Sequence, residues 1–419
     1  MVERNWAGNI EFRAATILRP TSVAELRDIV LRGGHSGVLG TRHSFNDIAD
    51  SAELISLEAL PDDVVIDVDS RTVELNPAMT YGRLAPLLHE QRLALHNLAS
   101  LPHISVGGAI ATGTHGSGDA LGSLATAVSA LDIVRADGQI VRLVRGDDHF
   151  DGAVVALGAL GAVVRIRLDL EPEYHVSQRV YERLAWDQLV EHFDEITTAG
   201  DSVSCFTTWG QNVQQVWVKR RLPHDADRDD LFGAEPATVD VHPIAGVSGE
   251  NCTQQVGVPG LWSDRLPHFK MGFTPSSGDE LQSELLLPRT AAVDAIEIVR
   301  SFGAEMVPHL LVSEIRTVAA DTLWMSPQFE RDTVAIHFTW RPHHVEVMDL
   351  VARLENAVAS FGARPHWAKI FTRERASITA NYPRHLDFVD LVGRFDPRGV
   401  FRNDWLARNV LGLSVAGRL

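Results

Sequence analysis

Between Ser100 and Gly118 the chain reads SLPHISVGGAIATGTHGSG, with five glycines set among serines and threonines. Glycine carries no Cβ, so such a segment lets the backbone approach a ligand closely and turn several amides toward a diphosphate. The spacing is neither the dinucleotide fingerprint GxGxxG after a strand nor the GxxxxGK[ST] phosphate loop. Any phosphate binding here uses a different backbone arrangement from those two. A glycine-rich loop between domains accounts for the same residues, and the segment alone does not separate the two readings.

The rest of the chain narrows the field. Its 419 residues suggest two or three domains, or two with one interrupted. Hydrophobic residues make up 45% and charged residues 22%, which supplies a large core and excludes disorder, collagen and coiled coil. With 38 basic against 55 acidic side chains the net charge is −17, arguing against nucleic acid or an anionic membrane as partner. Cys205 and Cys252, without CxxC spacing, exclude a disulfide scaffold or cysteine-rich metal site and point to a reducing cytoplasm. The histidines are scattered with no HExxH, and no GxSxG occurs, so neither a metal nor a hydrolase triad is expected. Glu3, Arg4, Glu11 and Arg13 leave no apolar run for a signal peptide, and no stretch is long enough to span a bilayer.

Short elements are expected first: a strand at 16–18, and a helix from Ser22 to Leu31 opened by the capping-box spacing Ser22-x-x-Glu25. There the serine accepts from the N3 amide and the glutamate reaches back. A strand at 38–39, a hairpin over 64–75, a helix around Leu84 despite Pro86, and strands at 128–135, 140–143 and 162–170 follow. After Pro172 the pattern predicts strands at 202–208, 215–219, 283–287, 311–316 and 333–339, and helices at 185–199, 290–302 and 344–361. Residues 223–243 read as a surface excursion, and from Pro365 the elements shorten again. The fold class expected is α+β.

Two further motifs could carry chemistry. Gly40-Thr41-Arg42-His43-Ser44-Phe45-Asn46 is a sharp turn leaving a strand, which sets a histidine where it can meet a ligand; a capped or solvated histidine is the simpler account. Glu314-Ile315-Arg316 precedes His337-Phe338-Thr339 by about twenty residues; the two-residue strand period puts Glu314 and Arg316 on one face, and His337 and Thr339 on one face. Such a face suits a ligand with many hydroxyls, and a salt-bridged, solvent-facing strand pair has the same spacing.

Together these motifs resemble the vanillyl-alcohol-oxidase-type FAD flavoproteins and, within them, the aldonolactone oxidoreductase group; the whole chain looks most like the alditol (xylitol) oxidases. The resemblance rests on Leu18-Arg19-Pro20, the turn Gly40 to Asn46, residues 99–118, Gly257 to Pro259 with Glu314-Ile315-Arg316-Thr317, and His366-Trp367-Ala368-Lys369. It implies a PCMH-type FAD-binding domain of two α+β subdomains at 1–171, a substrate-capping domain with a large antiparallel sheet at 172–364, and a segment, 365–419, completing the FAD site. His43 falls where these enzymes attach FAD covalently through its 8α-methyl group. Val38, Leu39, Gly40, Thr41, Arg42, Ser44, Ser100, Ser105, Gly108, Thr112, Gly113, Thr114, His115, Val163 and Lys369 fall on other cofactor positions. Arg42 stands where a glycine can occur. Ser100, Glu314, Arg316, Thr339 and Lys369 fall on polyol-binding positions; the catalytic set is Glu314, Arg316, His337 and Lys369, with His337 or Glu314 as base and Lys369 steadying charge on the flavin. The implied reaction oxidises the terminal C1 hydroxyl of alditols such as xylitol or sorbitol to the aldose, with oxygen reduced to hydrogen peroxide. A sugar-lactone oxidase or dehydrogenase is the alternative. The expected partners are a small polyol and oxygen, with no nucleic acid or membrane, in a cytoplasmic monomer.

Overall fold

The computed structural model describes residues 3–224, 229–273 and 280–412. Its largest element is a nine-stranded sheet, all of whose pairings are antiparallel. Along its middle run Ser202–Thr207, Leu310–Val318, Thr333–Trp340 and Leu281–Pro288, in that order. Every residue of Thr333–Trp340 is buried, so the strand period sorts its side chains between two covered faces. Ile336, Phe338 and Trp340 join a core with the Ala292–Ser301 and His344–Ala357 helices, whose Ile296, Val299, Val347, Val351 and Leu354 lie in the same cluster. His337 and Thr339 take the other face.

Two smaller sheets precede it. A parallel one joins Ile17–Leu18, Glu53–Ser56 and Ser36–Leu39. An antiparallel five-stranded one runs from Val65–Asp67 through Thr72–Leu75, Ala162–Asp169 and Val128–Val134 to Ile140–Val144. The α+β class and the large antiparallel sheet are therefore as expected. The glycine-rich segment docks on the large sheet: Gly118 N donates to Thr317 O at 2.8 Å, and Ser117 meets Ser202 at 2.6 Å. A Cβ on Gly118, at φ +144°, would stand 2.4 Å from Asp201 O, so only glycine allows this approach.

Several local readings change. Within the glycine-rich segment Val106–Ala111 is helical, its Val106, Ala109 and Ile110 anchored in the core. The helix expected at 185–199 is two, Trp186–Glu191 and Phe193–Thr197, broken at His192. Glu25 caps the backbone N–H of Thr21 at 2.7 Å rather than that of Ser22, whose hydroxyl accepts from Glu25 N as expected. Pro86 sits inside the Tyr81–Glu90 helix, which persists because Tyr81, Leu84, Ala85 and Leu88 are buried. The strand His175–Ala185 and the helix His385–Phe395 were not anticipated. Of the 223–243 excursion, residues 225–228 lie outside the described residues; the remainder contributes the edge strand Glu235–Pro236. No helix among the described residues is long and apolar enough to cross a membrane.

Candidate active site

A cavity of about 520 Å³ opens between the His43 turn, the glycine-rich segment and the free face of the large sheet. The turn leaves the Ser36–Leu39 strand and is held from the carboxyl-terminal side of the chain. Phe45 N donates to Ala368 O at 2.7 Å, and the Asn46 amide donates to Trp367 O and Lys369 O, each at 2.8 Å. Arg42 adopts φ 63°, a left-handed conformation that costs a side chain and suits glycine. Arg42 is paired with Glu3, and its carbonyl accepts from Trp6 N at 2.8 Å. Trp6 in turn stacks on His43, ring centroids 5.2 Å apart. Both His43 ring nitrogens are buried and neither makes a well-aligned hydrogen bond, although the Thr41 backbone approaches; burial outweighs it and pushes the imidazole down to about 4, so it is neutral. A Cβ on Gly40 or on Gly108 would come within 2.8 or 2.9 Å of Ser105 Oγ, itself buried and unpartnered. Orphaned polar atoms in a glycine-lined wall fit a bound group that supplies the missing contacts.

Across the cavity, three neighbouring strands set their polar residues in register. Glu284, His337 and Glu314 lie side by side, with Phe206 beyond. One step along, Gln282, Thr339 and Val312 form the next row; one step the other way, Arg316 lies opposite Ala335. Glu314 is 4%, Arg316 6%, His337 8% and Thr339 8% exposed, so the solvent-facing salt-bridge account fails.

Glu284, which sequence reasoning missed, is the centre of this array. Its carboxylate is wholly buried and accepts from Arg316 Nη2 at 2.9 Å and from Lys369 Nζ at 2.6 Å. Burial alone raises its pKa, but Lys369 and then Arg316 bring it well below the usual range. Glu314 is likewise brought low against burial, by Arg316 and then His268; its Oε1 meets His268 Nε2 at 3.0 Å, and its Oε2 lies 3.6 Å from Arg316 Nη1. Lys369 also donates to His337 Nδ1 at 2.8 Å, and His337 Nε2 meets Thr339 Oγ1 at 3.1 Å. An ammonium only donates, so this network assigns the His337 proton to Nε2. Burial lowers His115 and His268 to about 4 and His337 to about 3, and puts His366 well below its usual value. Two carboxylates thus face two cations among four neutral imidazoles. His115, Glu284 and His366 bring ligand-type atoms within 4.8 Å of one another, but both Glu284 oxygens are taken by cationic donors, a poor donor set for a metal.

Of the expected positions, Val38, Leu39, Gly40, Thr41, Arg42, His43, Ser44, Ser100, Ser105, Gly108, Thr112, Thr114, His115, Glu314, Arg316, His337, Thr339 and Lys369 line the cavity. Gly113 and Val163 do not. Gly113 turns at φ +67° against Pro327, and Val163 packs on the core of the five-stranded sheet. His268, His366 and Gln282 line the wall without having been picked out individually; Glu284 could have been, as the one charged residue of the strand Leu281–Pro288.

The depressed carboxylates make the site acid-sensitive. Their stabilisation is fully present above the ordinary value of 4.5 and is lost as pH falls through the lower folded values. Glu284→Gln leaves Arg316 and Lys369 without their shared counter-charge and is expected to cost about 3–5 kcal/mol at pH 7. Denaturant titrations at pH 7 and pH 3 should show the gap to wild type narrowing in acid; equal midpoints at pH 7 contradict the assignment.

Residues 14–144 match the FAD binding domain family, and residues 282–409 match the D-arabinono-1,4-lactone oxidase family. An alditol oxidase of Streptomyces sp. is 47% identical over 407 residues, covering 96% of this chain and 97% of that protein. More distant are an L-gulono-1,4-lactone dehydrogenase of Mycobacterium tuberculosis, 28% identical with 97% of this chain and 98% of that protein covered, and an L-gulonolactone oxidase of Mus musculus, 24% identical with 97% of each covered. Among solved structures, cholesterol oxidase from B. sterolicum superposes with a TM-score of 0.80 at 13% identity, covering 98% of this chain and 96% of that one, a likeness of fold. By its identity over nearly the whole of both chains, and with an FAD-binding domain at its amino-terminal side, the protein belongs to the alditol oxidase family.

Proposed function

We propose that the protein is an FAD-dependent oxidase that converts the terminal C1 hydroxyl of alditols such as xylitol and sorbitol to the aldose and reduces oxygen to hydrogen peroxide. One observation carries this reading: the charge-balanced row of Glu314, Arg316, His337 and Thr339 faces the same cavity as the His43 turn. FAD, when bound, supplies the two-electron acceptor that takes the carbinol hydrogen and passes the electrons to oxygen. The protein's part is to hold the polyol and move its proton. Arg316 gives one Nη to Glu284 and keeps the other toward Glu314 and the cavity, so it can donate to substrate hydroxyls. Ser100 and Thr339 offer hydroxyls from opposite walls.

Of the two expected bases, the geometry favours Glu314. The Nδ1 lone pair of His337 already accepts from Lys369, whereas Glu314 Oε2 has no hydrogen-bonded donor; held low by Arg316 it is a weak base, so it takes the C1 hydroxyl proton only as the carbinol hydrogen leaves. Lys369 is committed to Glu284 and His337; a substrate or cofactor oxygen reaches it as a third acceptor. Arg316→Lys keeps a cation beside Glu284 but loses the fork, so kcat/KM for xylitol should fall about 10–100-fold, about 1.4–2.7 kcal/mol, with flavin content retained. Wild-type protein should prefer xylitol to 1-butanol by more than ~100-fold, since a mono-ol leaves these groups unpaired. Equal rates on the two contradict the polyol site.

The match to the lactone oxidase family favours a second reading, oxidation of a sugar lactone. L-gulono-1,4-lactone turned over faster than xylitol would establish it, and reoxidation by air against an artificial acceptor separates oxidase from dehydrogenase. The covalent link at His43 belongs to the same proposal, supported by its two orphaned nitrogens and its neutral state. Acid-precipitated protein should stay yellow, and His43→Ala should release its flavin to the supernatant; a colourless wild-type pellet excludes the bond.

A further inference from the structure

A second lysine reaches the pocket from behind its wall. Lys219, in the strand Asn212–Arg221, is 1% exposed, and among the described residues it makes no ion pair. Its ammonium donates to the carbonyls of Leu266 and Pro267 and approaches His268 Nδ1 at 3.3 Å. Burying an unpaired ammonium is costly, and burial lowers this one to about 7. Two carbonyls could be satisfied by any neutral donor, so tethering the 266–268 turn does not by itself explain a lysine. The third contact does. While Lys219 is protonated, as it is below about 7, it cannot accept, so His268 Nδ1 must, which leaves the imidazole proton on Nε2, 3.0 Å from Glu314 Oε1. The imidazole is held in plane by Phe206 and Trp217, both edge-on at 5.3 Å.

We propose that Lys219 is a positioning residue: through the tautomer of His268 it occupies Glu314 Oε1 and presents Glu314 Oε2 to the substrate. Lys369, His337 and Thr339 form the same lysine-to-imidazole-to-oxygen order, the last two on the strand neighbouring that of Glu314. The ionised Glu314 only accepts and so favours the same Nε2–H form; without the Lys219 donor one of these two constraints is lost, His268 can place its proton on Nδ1, and the carboxylate, facing a lone pair, then rotates away. The consequence for turnover rests on the alditol reading; the tautomer does not.

Lys219→Met, His268→Gln and the double variant test this. Glutamine donates from Nε2 whatever stands behind it, so Lys219→Met should lower kcat/KM for xylitol about tenfold in the wild-type background and change it little in the His268→Gln background. Flavin content should hold in all three. Imidazole 15N shifts of wild type, with the His268 signal assigned by its loss in His268→Gln, should report Nε2–H at pH 6, below the Lys219 value and above that of His268, and a shift toward Nδ1–H in Lys219→Met. Equal losses from Lys219→Met in both backgrounds, or Nδ1–H in the wild type, overturn the proposal and leave Lys219 a tether of the turn. If Lys219→Met does not fold, the wild-type tautomer decides alone. A wild type that leaves xylitol untouched refutes the alditol reading while the 15N spectrum still tests the relay.

Discussion

A single carboxylate organises this molecule. Glu284 is wholly enclosed and clasped by Arg316 and Lys369, and those two cations come from different parts of the chain. Arg316 lies two strands away in the sheet; Lys369 ends the turn after Arg364–Pro365. The same turn receives the Asn46 side chain through the carbonyls of Trp367 and Lys369, and Asn46 closes the turn that carries His43. One connected network therefore links the sheet that would hold the substrate to the turn that would hold the cofactor. Taking charges out of water costs several kcal/mol each, and the pairing returns that only with good geometry. Such a cluster is weak evidence for stability and better evidence for a site.

Its charge balance bears on the ligand. Glu284 and Glu314 are ionised, Arg316 and Lys369 oppose them, and the four surrounding histidines are neutral by burial. Within this cluster the charges cancel, and the wall, which Glu280 and Arg42 also line, carries many directed donors and acceptors. A charged ligand would upset that balance, whereas a neutral chain of hydroxyls can donate to one carboxylate oxygen and accept from a guanidinium at the same time. The aliphatic and aromatic wall of Val312, Phe206 and Phe269 keeps water from competing.

Much of this was legible in the sequence, for definite reasons. The two-residue period placed Glu314 beside Arg316 and His337 beside Thr339, because strands buried on both faces leave little freedom for polar residues. Glu284 escaped because the run Leu285-Leu286-Leu287 that follows it reads as plain core; its meaning depends on which strands become neighbours. His268 and Lys219 have no spacing signal, since a loop and a strand 49 positions apart meet only in the folded sheet. The strand His175–Ala185 hides its register behind Arg179, Glu182 and Arg183, and the break at His192 depends on packing that no propensity records. The helix His385–Phe395 was legible in principle, its Phe388, Leu391, Val392 and Phe395 keeping helical spacing.

The central claim is that Glu284 is the scaffold of the pocket while Glu314 and Arg316 meet the substrate. A crystal structure of the flavin-loaded protein with xylitol under anaerobic conditions tests it most directly. The account predicts polyol hydroxyls within hydrogen-bond distance of Glu314 Oε2, Arg316 and Thr339, with Glu284 still held by Arg316 and Lys369. Xylitol bound against Ile244, Phe269 and Phe273 with none of its hydroxyls reaching Glu314, Arg316 or Thr339, or coordinated directly by Glu284, would contradict it.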